Sequence, residues 1–561
     1  MAGKINESLE KVKESIIGMQ SFVLEAGAGS GKTWTLIESL KFLLETKAVE
    51  LEKQSQKIAC ITYTNIAKDQ ITERLDFNDL VEVSTIHEFL WFIIKNYQQN
   101  LKTEILDYNE SDTKKHISGL EDVIEDTRIE YSQYGRKFEK GQLTHEDILH
   151  FSNKLFSNFP KISKLVANKF PYIFIDEYQD TELRTVEIFL DYLRQLNNGK
   201  VVIGFFGDSM QKIYNSGVGK IPQKYIDDKS LTVITKTENF RCSLKVIDLL
   251  NKIRPSLTQV ASGKNLSGNV TFISCNKYLH KPEENYRKTL DWLDSTRGWK
   301  IEENTKILLL THRGIANKLG YEKLLAIYDM LDFGRDRLFN REEIFSNFIL
   351  ESIEDLVRLY QNENYRSFIQ KLGIIGFKLN YHEDKSKIRK LMDELILLRQ
   401  TGTVLEVLKY VFENNLLAKP LKIQNFLSEI ERADLDETQQ LFKRFYESLV
   451  SNKYGEFILL QNYIDKHTPY STKHGVKGAE YENVLVVIDD SSWNLYKFND
   501  VFSSSKSNIG RYERTLNLLY VCCSRAKNNL TILSLSEMDS AALGTIKNWF
   551  GVDKFMQIEN L

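Results

Sequence analysis

A glycine-rich turn between a short apolar run and a helical pattern constrains this chain more than any other feature. The turn comprises Ala26, Gly27, Ala28, Gly29, Ser30, Gly31, Lys32 and Thr33, and Trp34 follows in the helix. Glycines let backbone N–H groups close around phosphate oxygens, and the helix N-terminus adds its positive dipole end. Lys32 would reach the β- and γ-phosphates, and the Thr33 hydroxyl would bind Mg²⁺. A glycine turn without nucleotide is the alternative, but its strand-to-helix setting favours a triphosphate site.

An acidic pair stands where a triphosphate site needs a second carboxylate centre. Asp176 and Glu177 directly follow the apolar run Tyr172–Ile175. Asp176 would hold Mg²⁺ through the water shell of the metal, and Glu177 would orient and polarise the attacking water. Acidic pairs in loops are usually solvated surface. A pair at a strand end, downstream of a P-loop, instead indicates nucleotide hydrolysis.

Two arginines far downstream are candidates for the positive charge that phosphoryl transfer needs around the transferred group. They are Arg241 and Arg525. Taken alone, each is more simply interpreted as a surface or salt-bridge arginine, so the pattern by itself leaves their role open.

The remaining apolar runs predict the fold class. Five of them have the length and composition of buried parallel strands: Ser21–Leu24, Lys57–Thr62, Tyr172–Ile175, Val201–Phe206 and Val484–Ile488. Most are followed by a helical pattern, and this alternation predicts a doubly wound α/β sheet with ligands at the carboxyl ends of strands. Residues 88–168 and 320–465 are instead helical throughout, with no catalytic spacing. We interpret both as helical insertions into sheet domains.

Composition and charge set limits on the class of protein. The 561 residues leave room for about three or four structural units. Lys and Arg number 75 against 77 Asp and Glu, so net charge does not indicate nucleic acid, although a motor can confine basic surface to one groove. The five cysteines lack zinc-ligand spacing. No signal-peptide pattern or apolar run of ~18–20 residues is present, so we expect a cytoplasmic protein with no membrane partner.

The P-loop, the acidic pair and further segments in the same order resemble the motif set of the superfamily 1A DNA helicases (UvrD, Rep and PcrA). The P-loop resembles motif I and residues 176–180 resemble motif II. The others are motif Ia at 61–65 and 71–75, Ib at 84–89, III at 207–214, IV at 239–241, V at 472–481 and VI at 513–527. The resemblance implies an α/β fold of two RecA-like P-loop domains with parallel sheets, each with a mainly helical insertion. The implied boundaries are 1–87 and 169–240 for motor domain 1A, 88–168 for insertion 1B, 241–319 and 466–561 for motor domain 2A, and 320–465 for insertion 2B.

The resemblance also implies roles for single residues, with ATP and Mg²⁺ as cofactors. Gln211 would sense the γ-phosphate, and Arg241 and Arg525 would be arginine fingers from the second motor domain. The further nucleotide contacts that it implies are Arg74, Phe240 on the adenine, Gly478, and Glu480 on the ribose. Trp34 stands where family members often have arginine, and it would stack on the other adenine face.

On the DNA side, the resemblance implies contacts to single-stranded DNA from Tyr63, Asn65, Thr85, His87, Tyr214 and His474. Base stacking on aromatic side chains contributes about 1–3 kcal/mol per base and is indifferent to sequence, which suits a translocating motor. Without the family, Tyr63 would be interpreted as a core aromatic.

Departures from the family pattern narrow the expectation. Asn215, Ser216 and Gly217 follow motif III, where the family has an aromatic residue, arginine and glycine. This change would affect unwinding more than ATP hydrolysis. The adenine-recognising glutamine is not evident, because Gln20 lies too close to the strand. In its size the chain is similar to helicase-like subunits of bacterial antiphage systems, such as the B subunit of the Gabija system. Those subunits work beside a separate nuclease.

Three functions follow as hypotheses. The leading one is an ATP-dependent DNA helicase or translocase that moves 3′ to 5′ on single-stranded DNA and unwinds duplex DNA. The alternative is an ATP-dependent, DNA-sensing regulatory subunit that controls a partner nuclease in antiphage defence, with weak unwinding. The third is a P-loop ATPase unrelated to DNA.

Overall fold

The computed structural model describes residues 7–111, 116–132, 136–212, 216–275, 281–309, 311–373, 382–471, 479–491 and 495–561. The chain forms two compact units. The first unit comprises Met1–Trp299 and Lys473–Leu561, and the second unit comprises Lys300–Thr472.

The first unit contains most of the strands. They are β1 (Phe22–Ala26), β2 (Ile58–Thr62), β3 (Val81–Thr85), β4 (Glu130–Tyr131), β5 (Gln142–Leu143), β6 (Tyr172–Asp176), β7 (Val202–Gly207), β8 (Thr232–Lys236), β9 (Glu238–Asn239), β10 (Val260–Ala261) and β11 (Asn269–Ser274), and beyond the second unit β14 (Tyr481–Ile488), β15 (Ala526–Ser534) and β16 (Phe555–Gln557).

Helices connect these strands. They are α1 (Glu7–Ile17), α2 (Lys32–Lys53), α3 (Asn65–Arg74), α4 (Ile86–Ile94), α5 (Gln98–Ser111), α6 (Leu120–Ile124), α7 (His145–Asn158), α8 (Pro160–Lys169), α9 (Leu183–Glu187), α10 (Lys224–Asp227), α11 (Leu244–Ile253), α12 (Pro282–Arg297), α24 (Phe498–Phe502), α25 (Ile509–Cys523) and α26 (Ser540–Phe550). A π-helical segment at Ile188–Arg194 extends α9.

The first sheet has the strand order β3-β2-β6-β7-β1-β8, and its strand pairs are parallel. Its central strands are buried, as expected for a parallel sheet covered by helices. Gly204 leaves space for two aromatic rings, because a Cβ atom there would lie 2.7 Å from Phe22 and 2.8 Å from Phe174. Phe22, Phe174 and Phe206 pack edge to face, with ring centroids 5.5–5.9 Å apart.

The second sheet of the first unit has the strand order β14-β15-β11-β16, and its pairs are also parallel. Helix α11 packs against β11 and β15, and α25 packs against β14 and β15. The two helices also pack against each other. Two parallel sheets with helices between their strands confirm the predicted α/β class and are consistent with two RecA-like domains.

Residues 88–168 are mainly helical, as predicted, with α4 to α8 around a core that includes Phe89, Phe138, Phe151 and Phe156. The helix starts are encoded locally, since Thr85 and Thr144 each form a capping box with the acidic residue three positions later. One feature was not predicted: β4 and β5 form a short parallel pair within this segment.

The second unit is helical apart from β12 (Thr305–Leu309) and β13 (Tyr470–Ser471), which pair in parallel. Its helices are α13 (His312–Leu319), α14 (Glu322–Tyr328), α15 (Gly334–Phe339), α16 (Ile344–Phe348), α17 (Glu354–Gln361), α18 (Tyr365–Gly373), α19 (His382–Thr401), α20 (Val404–Glu413), α21 (Leu421–Ile430), α22 (Glu437–Ser451) and α23 (Gly455–Ile464). The predicted helical character of residues 320–465 is therefore observed for the part of the chain that is described. The four-part domain division stays a prediction, since the two units have a different boundary, after Trp299.

Within the described ranges, no helix has both the length and the apolar character that crossing a bilayer requires.

Candidate nucleotide site

The glycine-rich turn adopts a backbone that its glycines make possible. Gly29 and Gly31 have φ values of 71° and 77°, in the left-handed region that side chains disfavour. A Cβ atom at Gly29 would also lie 2.7 Å from the Cβ atom of Arg241. The turn joins Ala26, the last residue of β1, to Lys32, the first residue of α2. The predicted strand–turn–helix setting is therefore observed.

Two observations at this turn fit a bound triphosphate. The buried Ser30 hydroxyl has no hydrogen-bond partner among the described residues. The N-terminus of α2 has no side-chain cap, because its N-cap is Gly31. Unsatisfied donors at a helix N-terminus form an anion site, and phosphate oxygens would satisfy them.

The acidic pair lies directly against the P-loop lysine. Lys32 Nζ lies 2.7 Å from Glu177 Oε1 and 3.6 Å from Asp176 Oδ1. Burial lowers the pKa of Lys32 and the two carboxylates raise it, and the net pKa lies above the ordinary value. Glu177 has φ 53°, so the chain turns sharply after β6, and both carboxylates still reach the Lys32 ammonium. This arrangement places the ammonium group where it can exchange its carboxylate partners for phosphate oxygens.

A Mg²⁺ ion with a nucleotide would be held by Thr33, in the first turn of α2, and by Asp176, at the end of β6. Mg²⁺ is usually bound through one or two carboxylates plus substrate phosphates, rather than by a cage of protein ligands. The donor set at this turn fits that pattern.

Gln211 and Arg525 meet across the two sheets. Gln211 ends a 3-10 turn that follows β7, and Arg525 follows α25. Arg525 Nη2 donates to Gln211 Oε1 at 3.1 Å, although the two residues are 314 positions apart in sequence. Gln211 in turn donates to the Asp208 carboxylate at 2.8 Å. Burial and then repulsion from Arg241 lower the pKa of Arg525 to about 10, so the guanidinium stays charged at neutral pH.

Arg241 and Glu480 also meet in this region. Arg241 Nε donates to Glu480 Oε2 at 2.7 Å, so the carboxylate predicted to contact the ribose holds an arginine in this structure. Phe240 and Trp34 are 40% and 44% exposed. Both lie beside Gly31, since a Cβ atom there would be 3.8 Å from Phe240 and 3.9 Å from Trp34. Two half-exposed rings next to the P-loop are suited to stacking on a base.

Three residues for which the sequence predicted no role contact the P-loop. Asn239 and Gln259 both donate to the backbone oxygen of Ala28, at 2.9 and 2.8 Å. The Ala28 N–H donates to the Tyr520 hydroxyl at 3.1 Å. The three side chains are buried. Tyr520 lies in motif VI, but no local pattern predicts its contact or that of Gln259, because their partner Ala28 lies hundreds of residues away.

A buried charged cluster beside the P-loop was also missed. We call Glu25, Asp208, Arg254 and Tyr520 the Arg254 cluster. Arg254 Nη1 donates to Asp208 Oδ1 at 2.8 Å, its Nη2 donates to Glu25 Oε1, and its guanidinium lies 5.7 Å from the Tyr520 ring centroid. Burial raises the pKa of Asp208 to about 6, although Arg254 opposes the shift. The sequence carries three signals, the glutamate within the otherwise apolar strand β1, Asp208 in motif III and Tyr520 in motif VI, but none of them predicts the contact with Arg254.

The predicted DNA contacts in the described residues lie at the ends of β2 and β3. Tyr63 follows β2, Asn65 is the exposed first residue of α3, and the Thr85 hydroxyl caps α4. The His87 ring lies 4.5 Å from the ring of His145. Burial and then the neighbouring His145 lower the pKa of His87 to about 4. His87 is therefore neutral at physiological pH.

Some predicted residues are not brought into the site. Arg74 is exposed at the end of α3 and has no hydrogen bond or ion pair with the described residues of the P-loop. Gln20, which was not predicted to contact the adenine, donates to the backbone oxygen of Lys229 at 3.2 Å. Tyr214, His474 and Gly478 lie outside the described residues.

The segment that follows motif III packs onto motif II. Gly217 forms an antiparallel bridge with Glu182, and a Cβ atom there would lie 2.4 Å from the backbone oxygen of Gln179. The N–H of Val218 donates to the backbone oxygen of Thr181 at 2.7 Å. The glycine is thus required by a close approach of two backbones.

Comparisons with known proteins agree with this geometry. A family model described as an AAA domain matches residues 10–217. The Gabija protein GajB from Bacillus cereus (strain HuB5-5) is 25% identical, over 97% of this chain and 97% of its own length. The ATP-dependent DNA helicase PcrA from Staphylococcus aureus (strain Mu50 / ATCC 700699) is 25% identical over 41% of this chain, and PcrA from Bacillus subtilis (strain 168) is 24% identical over 41%. Each match covers 37% of the PcrA chain.

The predicted resemblance is confirmed. The chain is similar to UvrD/PcrA-type helicases and, along nearly its whole length, to the B subunit of the Gabija system. Its N-terminal part is similar to an AAA-type ATPase domain. The chain is therefore helicase-like, with a nucleotide-using domain that contains the P-loop and the acidic pair.

Proposed function

We propose that this chain is an ATP hydrolase of the superfamily 1A type, and that it couples ATP hydrolysis to translocation on DNA. The single observation that carries the proposal is the hydrogen bond from Arg525, directly before β15 of the second sheet, to Gln211, shortly after β7 of the first sheet. It supports a composite site in which the two sheets contribute opposite sides of one reaction centre.

The roles of the residues follow from the charges that phosphoryl transfer develops. The P-loop and Lys32 would bind the β- and γ-phosphates, and Mg²⁺, held by Thr33 and Asp176, would neutralise developing charge. Glu177 would leave Lys32 and orient the attacking water. Arg241 and Arg525 would stabilise the transition state, with Gln211 reporting the state of the γ-phosphate to the second sheet.

The proposed DNA function is translocation 3′ to 5′ along single-stranded DNA. Tyr63, Asn65, Thr85 and His87 would contact the strand, together with Tyr214 and His474. Because the pKa of His87 is about 4, the ring would stack or hydrogen bond rather than pair with a phosphate.

A second function has its own support. The match to GajB spans nearly the whole chain, whereas the PcrA matches span less than half of it. Asn215 and Ser216 follow motif III, where the family pattern has an aromatic residue and arginine. Both observations favour an ATP-dependent, DNA-sensing subunit that controls a partner nuclease, with weak unwinding.

The first experiment measures the steady-state ATPase rate of the full chain with and without single-stranded DNA, alongside the Lys32→Ala variant. We expect stimulation by DNA in the wild type and loss of hydrolysis in the variant, with DNA binding retained. Full ATPase activity in Lys32→Ala would contradict the assignment of the glycine-rich turn as the phosphate-binding loop. A rate indifferent to DNA would favour an ATPase unrelated to DNA.

The second experiment separates the two DNA functions. Strand displacement is followed on duplexes that carry a 3′ or a 5′ single-stranded tail. Robust unwinding from the 3′ tail supports the helicase. DNA-stimulated ATPase without displacement supports the regulatory subunit.

A further inference from the structure

Arg254 is a buried arginine that spans the gap between the two sheets of the first unit. It caps the C-terminus of α11, which packs against β11 and β15 of the second sheet. Its guanidinium reaches Asp208 and Glu25, which lie at the carboxyl ends of β7 and β1 of the first sheet. The residue is 4% exposed. One side chain thus ties the helical layer of one sheet to the nucleotide-binding edge of the other.

The charges of the Arg254 cluster depend on this contact. Glu25 and Asp208 both carry a carboxylate, and Arg254 is the cation that pairs with each of them. Removing the partner of a buried charge is costly, because the desolvated carboxylate is left without compensation. Arginine suits the position, since its fork presents separate N–H groups to two acceptors, whereas lysine offers a compact point charge.

The partners of Arg254 also hold groups of the proposed reaction centre. Asp208 accepts the amide of Gln211 at 2.8 Å, and Gln211 accepts from Arg525 at 3.1 Å. On the other side, Tyr520 accepts the N–H of Ala28 in the P-loop at 3.1 Å. Glu25 accepts from the backbone N–H of Ser209 at 3.1 Å, in the same turn as Gln211. The cluster therefore contacts the P-loop and the Gln211 turn at once.

We propose that Arg254 is a positioning residue that latches the second sheet against the first in the arrangement that brings Gln211 and Arg525 together. Arg254 itself would not touch the nucleotide. It acts through Asp208 on Gln211 and through Tyr520 on the P-loop. The expected effect of Arg254 on catalysis rests on the proposed function, ATP hydrolysis at this site.

The test compares Arg254→Met and Arg254→Lys with a matched control, Arg399→Met. Arg399 is 6% exposed and pairs with Glu354, but it lies in the second unit. DNA-stimulated kcat and the KM for ATP are measured, together with hydrogen exchange of the peptides that cover residues 26–31 and 207–212. The exchange readout needs no catalysis, so it reports on the latch even where the wild type does not hydrolyse ATP.

We expect Arg254→Met to lower kcat by about 10- to 100-fold, because misplacement of catalytic groups has effects of this size. The KM should change by less than about threefold, since no ATP contact is removed. Exchange of both peptides should become at least about tenfold faster. Arg254→Lys should lie between wild type and Arg254→Met, because it keeps the charge but not the fork. Arg399→Met should change neither kcat nor this exchange.

Two results would overturn the latch. One is wild-type kcat and wild-type exchange in Arg254→Met. The other is an equal loss in Arg399→Met, since that would trace the effect to general destabilisation. A wild type without ATPase activity would count against the proposed function alone, and the exchange of residues 26–31 and 207–212 would still decide for or against the latch.

Discussion

The two units each bury an arginine against carboxylate and tyrosine, yet the surroundings differ. In the first unit, Arg254 pairs with Glu25 in β1 and with Asp208 directly after β7, at the edge of the first sheet that carries the P-loop. In the second unit, Arg399 of α19 forms a two-pronged pair with Glu354 of α17, and Tyr454 donates to the same carboxylate at 2.7 Å. Both arginines are nearly inaccessible to solvent.

The difference lies in what the partners hold in turn. The partners of Arg399 belong to packed helices of a single unit, and the pair has one cation for one carboxylate. The partners of Arg254 also contact Gln211, Ser209 and, through Tyr520, the P-loop. Burial and pairing alone therefore do not distinguish a structural arginine from a functional one. The two kinds of arginine are distinguished by the residues that their carboxylate and tyrosine partners contact in turn.

The largest effect should come from breaking the second-unit pair. Arg399→Met leaves the buried Glu354 carboxylate without its cation, and we expect a loss of about 3–5 kcal/mol in the free energy of unfolding. Urea unfolding followed by circular dichroism measures the loss, and the ATPase kcat at a permissive temperature is the control. A large fall in kcat with the fold intact would contradict the assignment of Arg399 to stability.

Glu177→Gln should have the next largest effect, and it tests the first unit, where we expect a loss of catalysis rather than of stability. It removes the carboxylate proposed to orient the attacking water, and we expect kcat to fall about 100- to 1,000-fold, or about 3–4 kcal/mol of barrier. Nucleotide binding should survive. Steady-state ATPase and binding of a fluorescent ATP analogue provide the measurements, and near-normal turnover would exclude the proposed role.

Phe240→Ala tests whether an exposed ring of the first unit binds a base. We expect the KM for ATP to rise about tenfold, because a stacked aromatic contributes about 1–2 kcal/mol. The matched control is Tyr365→Ala, which removes a half-exposed ring from the second unit. Equal KM values for both variants and the wild type would remove Phe240 from the nucleotide site.

The smallest effect concerns pH and the second unit. Burial and then the nearby Arg335 lower the pKa of His312 to about 4, and its ring packs 4.3 Å from that of Phe339. The unfolded state, with a pKa of about 6.5, binds the proton first, so this stability is complete above pH ~6.5 and is lost as the pH falls towards 4. We expect His312→Phe to reduce the loss between pH 7.5 and 5 by about 1–2 kcal/mol. Urea unfolding at the two pH values measures it, and an unchanged pH slope would show that His312 does not titrate this way.

Much of the first sheet and its P-loop could be predicted from local pattern. The apolar runs around residues 22, 58, 172 and 202 each became a buried strand, and the glycines of the turn adopt the backbone that only glycine tolerates readily. The position of Asp176 and Glu177 could also be predicted, because residues at the carboxyl ends of parallel strands lie at the same edge of the sheet. Arg74 is exposed at the end of α3, and its contact with a nucleotide stays a prediction.

The roles of Arg254, Gln259 and Tyr520 could not be predicted in this way. Each contacts a residue more than 200 positions away, and no period or spacing encodes such a pair. The sequence by itself determined the central strands of the first sheet, the P-loop and the acidic pair, since these depend on neighbouring residues and on backbone sterics. Only the tertiary structure decided which buried charge meets which, because desolvated charges must find partners wherever packing brings the chain together.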